Sequence, residues 1–164
     1  MNANRLNPHL WLPAFFFVSL CIGLVPGCSK SDSNAPNAKP QTSADANVFI
    51  SVVSDMDSNP QAVDMAMKVA GFSLDEGRTV FMFFNVKGVR VPVQSLGDDV
   101  AFGSNDPVKK QLAKLIERGA TVHVCPICMK ALDVKEDQLV AGSHVTTRPA
   151  LFQQIRNDTC VFTY

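Results

Sequence analysis

The sequence has no excess of either charge: 15 Lys and Arg stand against 15 Asp and Glu in 164 residues. That balance gives no broad attraction for a phosphate backbone, which excludes a general nucleic-acid binder. Charged residues are scarce as well, at 18% against roughly 25% in an average soluble chain. Glycine is too rare, at nine residues, for a collagen-like chain, and a hydrophobic share of 46% is too high for a fully disordered one. Five cysteines are too few for a miniprotein stapled by disulfides. Past residue 47 there is neither an internal repeat nor a low-complexity segment. The length allows one domain of ordinary size.

What is present begins with an address. Residues 1–9 are polar and carry Arg5 and no acid, and residues 10–25, LWLPAFFFVSLCIGLV, are an apolar run interrupted by Pro13. A membrane span wants about 20 apolar residues, so this run reads as a secretory signal and not as a span. Its end, Leu24-Val25-Pro26-Gly27-Cys28, looks like a bacterial lipobox. There the signal is cleaved before a cysteine whose thiol carries diacylglycerol, which makes Cys28 the expected lipidation site. Residues 29–47, SKSDSNAPNAKPQTSADAN, have no large apolar side chain and cannot offset the entropy of ordering. A flexible tether of that length spans roughly 25 Å, enough to hold a domain clear of lipid headgroups. Arg5 is the one charged side chain ahead of Cys28, so attachment rests on lipid and not on a basic patch. The expected organisation is therefore a signal peptide over 1–27, a tether over 28–47 and a globular domain over 48–164. The expected location is a bacterial membrane, facing the periplasm or the cell exterior. Ser29 is not the aspartate that retains lipoproteins at an inner membrane, which favours an outer one where the cell has it.

The domain alternates strand and helix. Residues 48–53 (VFISVV) and 79–84 (TVFMFF) are short apolar runs of buried-strand type. Between them, Pro60 suits a first helical position with Asn59 or Ser58 as cap. Val63, Ala66, Met67 and Ala70 recur at helical spacing until Gly77. A short strand is expected near Val89–Val93. A second helix covers 107–118, a third strand 120–124, a further helix starts at 125–132, another covers 148–158 with Leu151, Phe152 and Ile155 inward, and a last strand covers 159–164. Met65, Met67 and Met82 read as core filler, and Cys160 as a small buried residue. Strands separated by helices imply right-handed crossovers and a parallel sheet covered on both faces, an α/β fold. In such sheets, sites form where strand carboxyl ends meet helix amino ends.

Cys125 lies at one of these junctions, after a buried strand and before Pro126. Free N–H groups and the positive end of the helix favour thiolate over thiol there. Cys128 follows one helical turn later, so its sulfur can reach Cys125 in a reversible disulfide or act as a resolving thiol. Lys130 is an auxiliary positive charge further along. His123 is two residues before Cys125 on the same strand face, where it reads as a base, a soft-metal ligand or an ordinary strand residue. His144 falls in a polar loop after Gly142.

Residues 120–140, ATVHVCPICMKALDVKEDQLV, resemble the cysteine segment of the DsrE/DsrF/TusD-like family. In that family an apolar strand ends in a cysteine, a short helix follows, and a Gly-Val pair closes it. Val134 falls in that place, with Asp133 where the family usually has glycine. Residues 66–80 and 81–89 look like the family's first helix and second strand. The resemblance implies a three-layer flavodoxin-like fold with a mainly parallel sheet of about five strands, and a homotrimer or hexamer. It also implies a sulfur-handling protein whose cysteine, Cys125 here, carries sulfane sulfur as a persulfide between donor and acceptor proteins or small thiols, with no cofactor. Whether such a carrier counts as an enzyme, of sulfurtransferase type, stays open. Two further chemistries are compatible with the residues: thiol–disulfide exchange through Cys125 and Cys128, and a non-enzymatic soft-metal or interaction module with Cys125 and Cys128 as ligands.

Overall fold

The computed structural model describes residues 46–164. The expected signal, the expected lipidation site Cys28 and all but the last two residues of the expected tether lie outside these residues. Five strands form one parallel sheet in the order β4-β3-β2-β1-β5. They are β1 (Val48–Val52), β2 (Val80–Phe84), β3 (Thr121–Val124), β4 (Ser143–Val145) and β5 (Cys160–Thr163). The helices are α1 (Pro60–Asp75), α2 (Val108–Glu117), α3 (Pro126–Ala131) and α4 (Arg148–Gln153). This is the three-layer flavodoxin-like α/β arrangement. No helix among the described residues is long and apolar enough to cross a membrane.

Asn59 caps α1: its side chain accepts the Ala62 N–H at 3.1 Å, and Pro60 takes the first helical position, where no N–H is needed. The buried stripe Val63, Ala66, Met67 and Ala70 meets Val108, Leu112 and Leu115 of α2. Both stripes pack on one face of the sheet, against Ile50, Val52, Val80, Met82, Phe84, Val122 and Val124, and Met129 of α3 joins the same cluster. Successive right-handed crossovers from β1 to β4 put α1, α2 and α3 on that face, and the return to β5 runs on the other.

The second face is less covered than the sequence implies. It carries Phe49, Phe81, Phe83 and His123, with Phe49 and Phe81 stacked at 5.2 Å between ring centroids. Its crossover helix α4 has no buried residue. The helix expected over 148–158 stops at Gln153, because the Thr159 hydroxyl closes a turn, accepting Arg156 N–H and donating to Gln154 C=O. Phe152 and Ile155 are consequently exposed, not inward. Cys160 is exposed too, because β5 is an edge strand. Met67 and Met82 are core residues, whereas Met65 lies on the outer side of α1.

Residues 86–90 form a 3-10 turn in place of the strand expected near Val89–Val93. Gly88 explains it. Its N–H donates to Val53 C=O and Asn85 C=O, and a Cβ there would lie 2.1 Å from Val52 O, so only glycine lets the turn sit on the end of β1. β4 is the reverse case: three residues of mixed polarity form a strand where the sequence shows a polar loop.

Candidate functional site

The carboxyl ends of β1, β2 and β3 share one rim of the parallel sheet. Cys125 leaves β3 there with an extended backbone, and its N–H still pairs with Phe84 C=O of β2 at 2.9 Å. That bond fixes the cysteine in the sheet's own register. The chain then turns into α3, whose first residue is Pro126. Met129 N–H closes the first turn on Cys125 C=O at 2.9 Å, and buried Met129 anchors the helix in the core. Asp133 ends the segment with φ of 52°, a left-handed conformation that lets Val134 N–H return to Met129 C=O. Glycine adopts that conformation most easily, and aspartate tolerates it better than most residues.

Cys125 and Cys128 are free thiols, each partly exposed, on the first turn of α3. Burial pushes the Cys128 thiol up from its ordinary value, and a hydrogen bond to the Cys125 side chain and that neighbour's charge push it further. The opposing influence is the Val86 main-chain N–H, which donates to Cys128 Sγ at 3.1 Å. The two cysteines stand one turn apart at the start of α3, and the net effect on Cys128 favours its protonated form. Val86 itself has φ of 51°, a rare conformation for a β-branched residue, and its side chain is exposed. Asn85, just before it, ties the rim together by donating from Nδ2 to Ser51 Oγ at 2.8 Å.

His123 is half-buried one step back along β3. Its ring lies 4.7 Å from Phe81 and 5.7 Å from His144, and its Nδ1 is hydrogen-bonded to Thr146 Oγ1 at 3.2 Å. His144, which the sequence reading leaves in a loop, is its register partner on β4. Burial and the neighbouring His144 charge hold His123 below the usual imidazole range. Neither histidine is hydrogen-bonded to a cysteine sulfur. Lys130 is exposed in the last turn of α3, and no hydrogen bond or ion pair among the described residues joins it to either sulfur. Among the described residues, no three or more His, Cys, Asp or Glu side chains converge as a metal site. A metal on Cys125 and Cys128 would need ligands from elsewhere.

The structure therefore brings Cys125 and Cys128 together and leaves His123 beside them as part of an aromatic row. Sequence reasoning missed the Val86 amide. Gly88, two residues on, signals a close backbone approach, but nothing in a valine announces a left-handed backbone.

Residues 47–164 match the profile of the DsrE/DsrF-like family. Among solved structures, the chain is similar to the YchN protein of E. coli, with 15% identity and a TM-score of 0.54 over 73% of this chain and 99% of that one. A protein of unknown function from Methanobacterium thermoautotrophicum, MTH1491, is similar at 15% identity and a TM-score of 0.53, over 71% of this chain and 96% of that one. No curated protein matches. At such identities these structures speak for the fold, whereas the profile spans the whole described domain: the chain belongs to the DsrE/DsrF-like family.

Proposed function

We propose that this protein is a membrane-anchored sulfur handler in which Cys125 takes up sulfane sulfur as a persulfide and passes it on. The observation that carries the reading is a partly exposed free thiol, Cys125, held at the end of β3 by the sheet, with a second free thiol, Cys128, one helical turn on. A thiol at a strand end is held by the sheet, while the partly exposed sulfur remains open to a donor. Family membership supports sulfur chemistry over generic thiol chemistry. The domain occupies residues 48–164, and Cys28 provides the lipid anchor on the outer side of a bacterial membrane. A trimer or hexamer of identical chains covers the thinly covered sheet face, where Phe152, Ile155 and Val161 are exposed.

The test is direct. Reduced protein is incubated with inorganic tetrasulfide, desalted and digested, and the Cys125 peptide is weighed. The added mass of one sulfur atom on that peptide is expected. An unchanged peptide, with sulfur absent or on Cys160 only, overturns the reading. Thiol–disulfide exchange is a second reading, favoured by two free, partly exposed thiols one helical turn apart. In that case the Cys128→Ser variant traps a mixed disulfide with a thiol substrate.

A further inference from the structure

The contact between Val86 and Cys128 says what happens after loading. The sulfur of Cys128 is held from outside its own helix, by an amide on the crossover that follows β2. That crossover is pinned to the end of β1 at Gly88, so the amide has little freedom to move away. The side chain of Val86 is exposed and gains nothing from burial, yet the residue keeps a left-handed conformation that L-residues, β-branched ones above all, disfavour. What that conformation achieves is an N–H aimed at a sulfur. Such a donor fixes the sulfur's position and stabilises negative charge when it forms there.

We infer that Cys128, positioned by the Val86 amide, discharges the sulfane sulfur of Cys125 as hydrosulfide and leaves a Cys125–Cys128 disulfide. This rests on the persulfide reading of Cys125 and adds the fate of its cargo. In the step, Cys128 loses its proton to solvent and its Sγ attacks Cys125 Sγ. A sulfur–sulfur bond forms between the two residues, and the bond from Cys125 Sγ to the terminal sulfur breaks. The electron pair leaves with the terminal sulfur as HS⁻. The sulfane sulfur is reduced to sulfide while the two cysteine sulfurs are oxidised to the disulfide. A dithiol reductant, small or protein-borne, restores both thiols by exchange.

The full chain, wild type and Cys128→Ser, is loaded with inorganic tetrasulfide, freed of excess donor and followed by sulfide trapping with monobromobimane and by mass. Wild type is expected to release one hydrosulfide per chain and to end without the extra sulfur and two hydrogens lighter. Cys128→Ser is expected to keep the extra sulfur on Cys125 and to release sulfide at least about tenfold more slowly. Gly88→Ala, which forces the turn and its Val86 amide away from β1, is expected to load sulfur but to discharge at least about threefold more slowly than wild type. Equal release from wild type and Cys128→Ser overturns the inference while the persulfide reading stands. Failure of Cys128→Ser to take up sulfur on Cys125 overturns the reading beneath it. Release at the wild-type rate from folded Gly88→Ala would remove the amide from the account.

Discussion

His123 and His144 are register partners on neighbouring strands, with ring centroids 5.7 Å apart at the β3–β4 edge of the sheet. Burial against Phe81, and then the charge of His144, make protonation of His123 harder in the folded chain than in the unfolded one. The unfolded chain therefore binds more protons between the folded value and the ordinary 6.5. Stability from this pair is complete above that ordinary value and is lost as pH falls through the window. Melting temperatures are expected to drop between about pH 7.5 and 5.5, and the drop to shrink in His123→Gln, which retains a partner for Thr146. An unchanged slope in that variant would assign the effect elsewhere. The buried Asp55 responds lower down. Its desolvation opposes ionisation, but hydrogen bonds from Ser58 and the charges of Lys87 and Arg90 prevail, so its contribution is lost below the ordinary carboxylate range.

Two left-handed residues predict stabilisation by glycine. Val86 and Asp133 have φ of 51° and 52°. Val86→Gly is expected to gain about 0.5–1 kcal/mol, with the greater flexibility of unfolded glycine taking back part of the relief. Asp133→Gly gains less, since aspartate suffers less in that conformation. Denaturant midpoints at constant slope measure both.

Gly88→Ala is expected to do the opposite. The added Cβ would meet Val52 O at 2.1 Å, so the turn must move away from β1. A loss above about 3 kcal/mol is expected, as for other substitutions that overpack a backbone contact. If the fold survives, the Val86 amide leaves Cys128, and alkylation of Cys128 slows because the donor that favours its thiolate is gone. A variant with wild-type stability would show that the turn adapts.

Alkylation of the wild-type thiols is expected to follow an order. Cys128 favours its protonated form, so iodoacetamide near neutral pH labels Cys125 and exposed Cys160 ahead of it, and its labelling climbs only above the ordinary thiol range. Peptide mapping at several pH values checks this. Cys128 labelled first at neutral pH would contradict the proton placement.

The parts of the fold that repeat an apolar pattern were legible in the residues. The runs 48–53 and 79–84 and the stripe from Val63 to Ala70 carry enough apolar side chains to declare strand and helix. The cysteine junction was legible for the same reason, since a buried strand followed by Pro126 leaves Cys125 no other place. β4 was not, because Ser143, His144 and Val145 are too few to show a period; pairing with β3 makes them a strand. Phe152 and Ile155 misled because spacing cannot tell a helix with a partner from one that lacks it. The Val86 contact was invisible because it depends on a backbone angle set by Gly88 and by α3, both distant from any local preference.

β1 is flanked by β2 on one side and by β5 on the other, so Val48 is partnered by both Val80 and Cys160. As the domain folds, β1 keeps one ladder of amides and carbonyls open until the strand most distant in sequence, β5, pairs with it. Parallel pairing over such a separation is slow to close. Until β5 pairs, the outer flank of β1 is an unsatisfied strand edge of the kind that invites another strand to add to it.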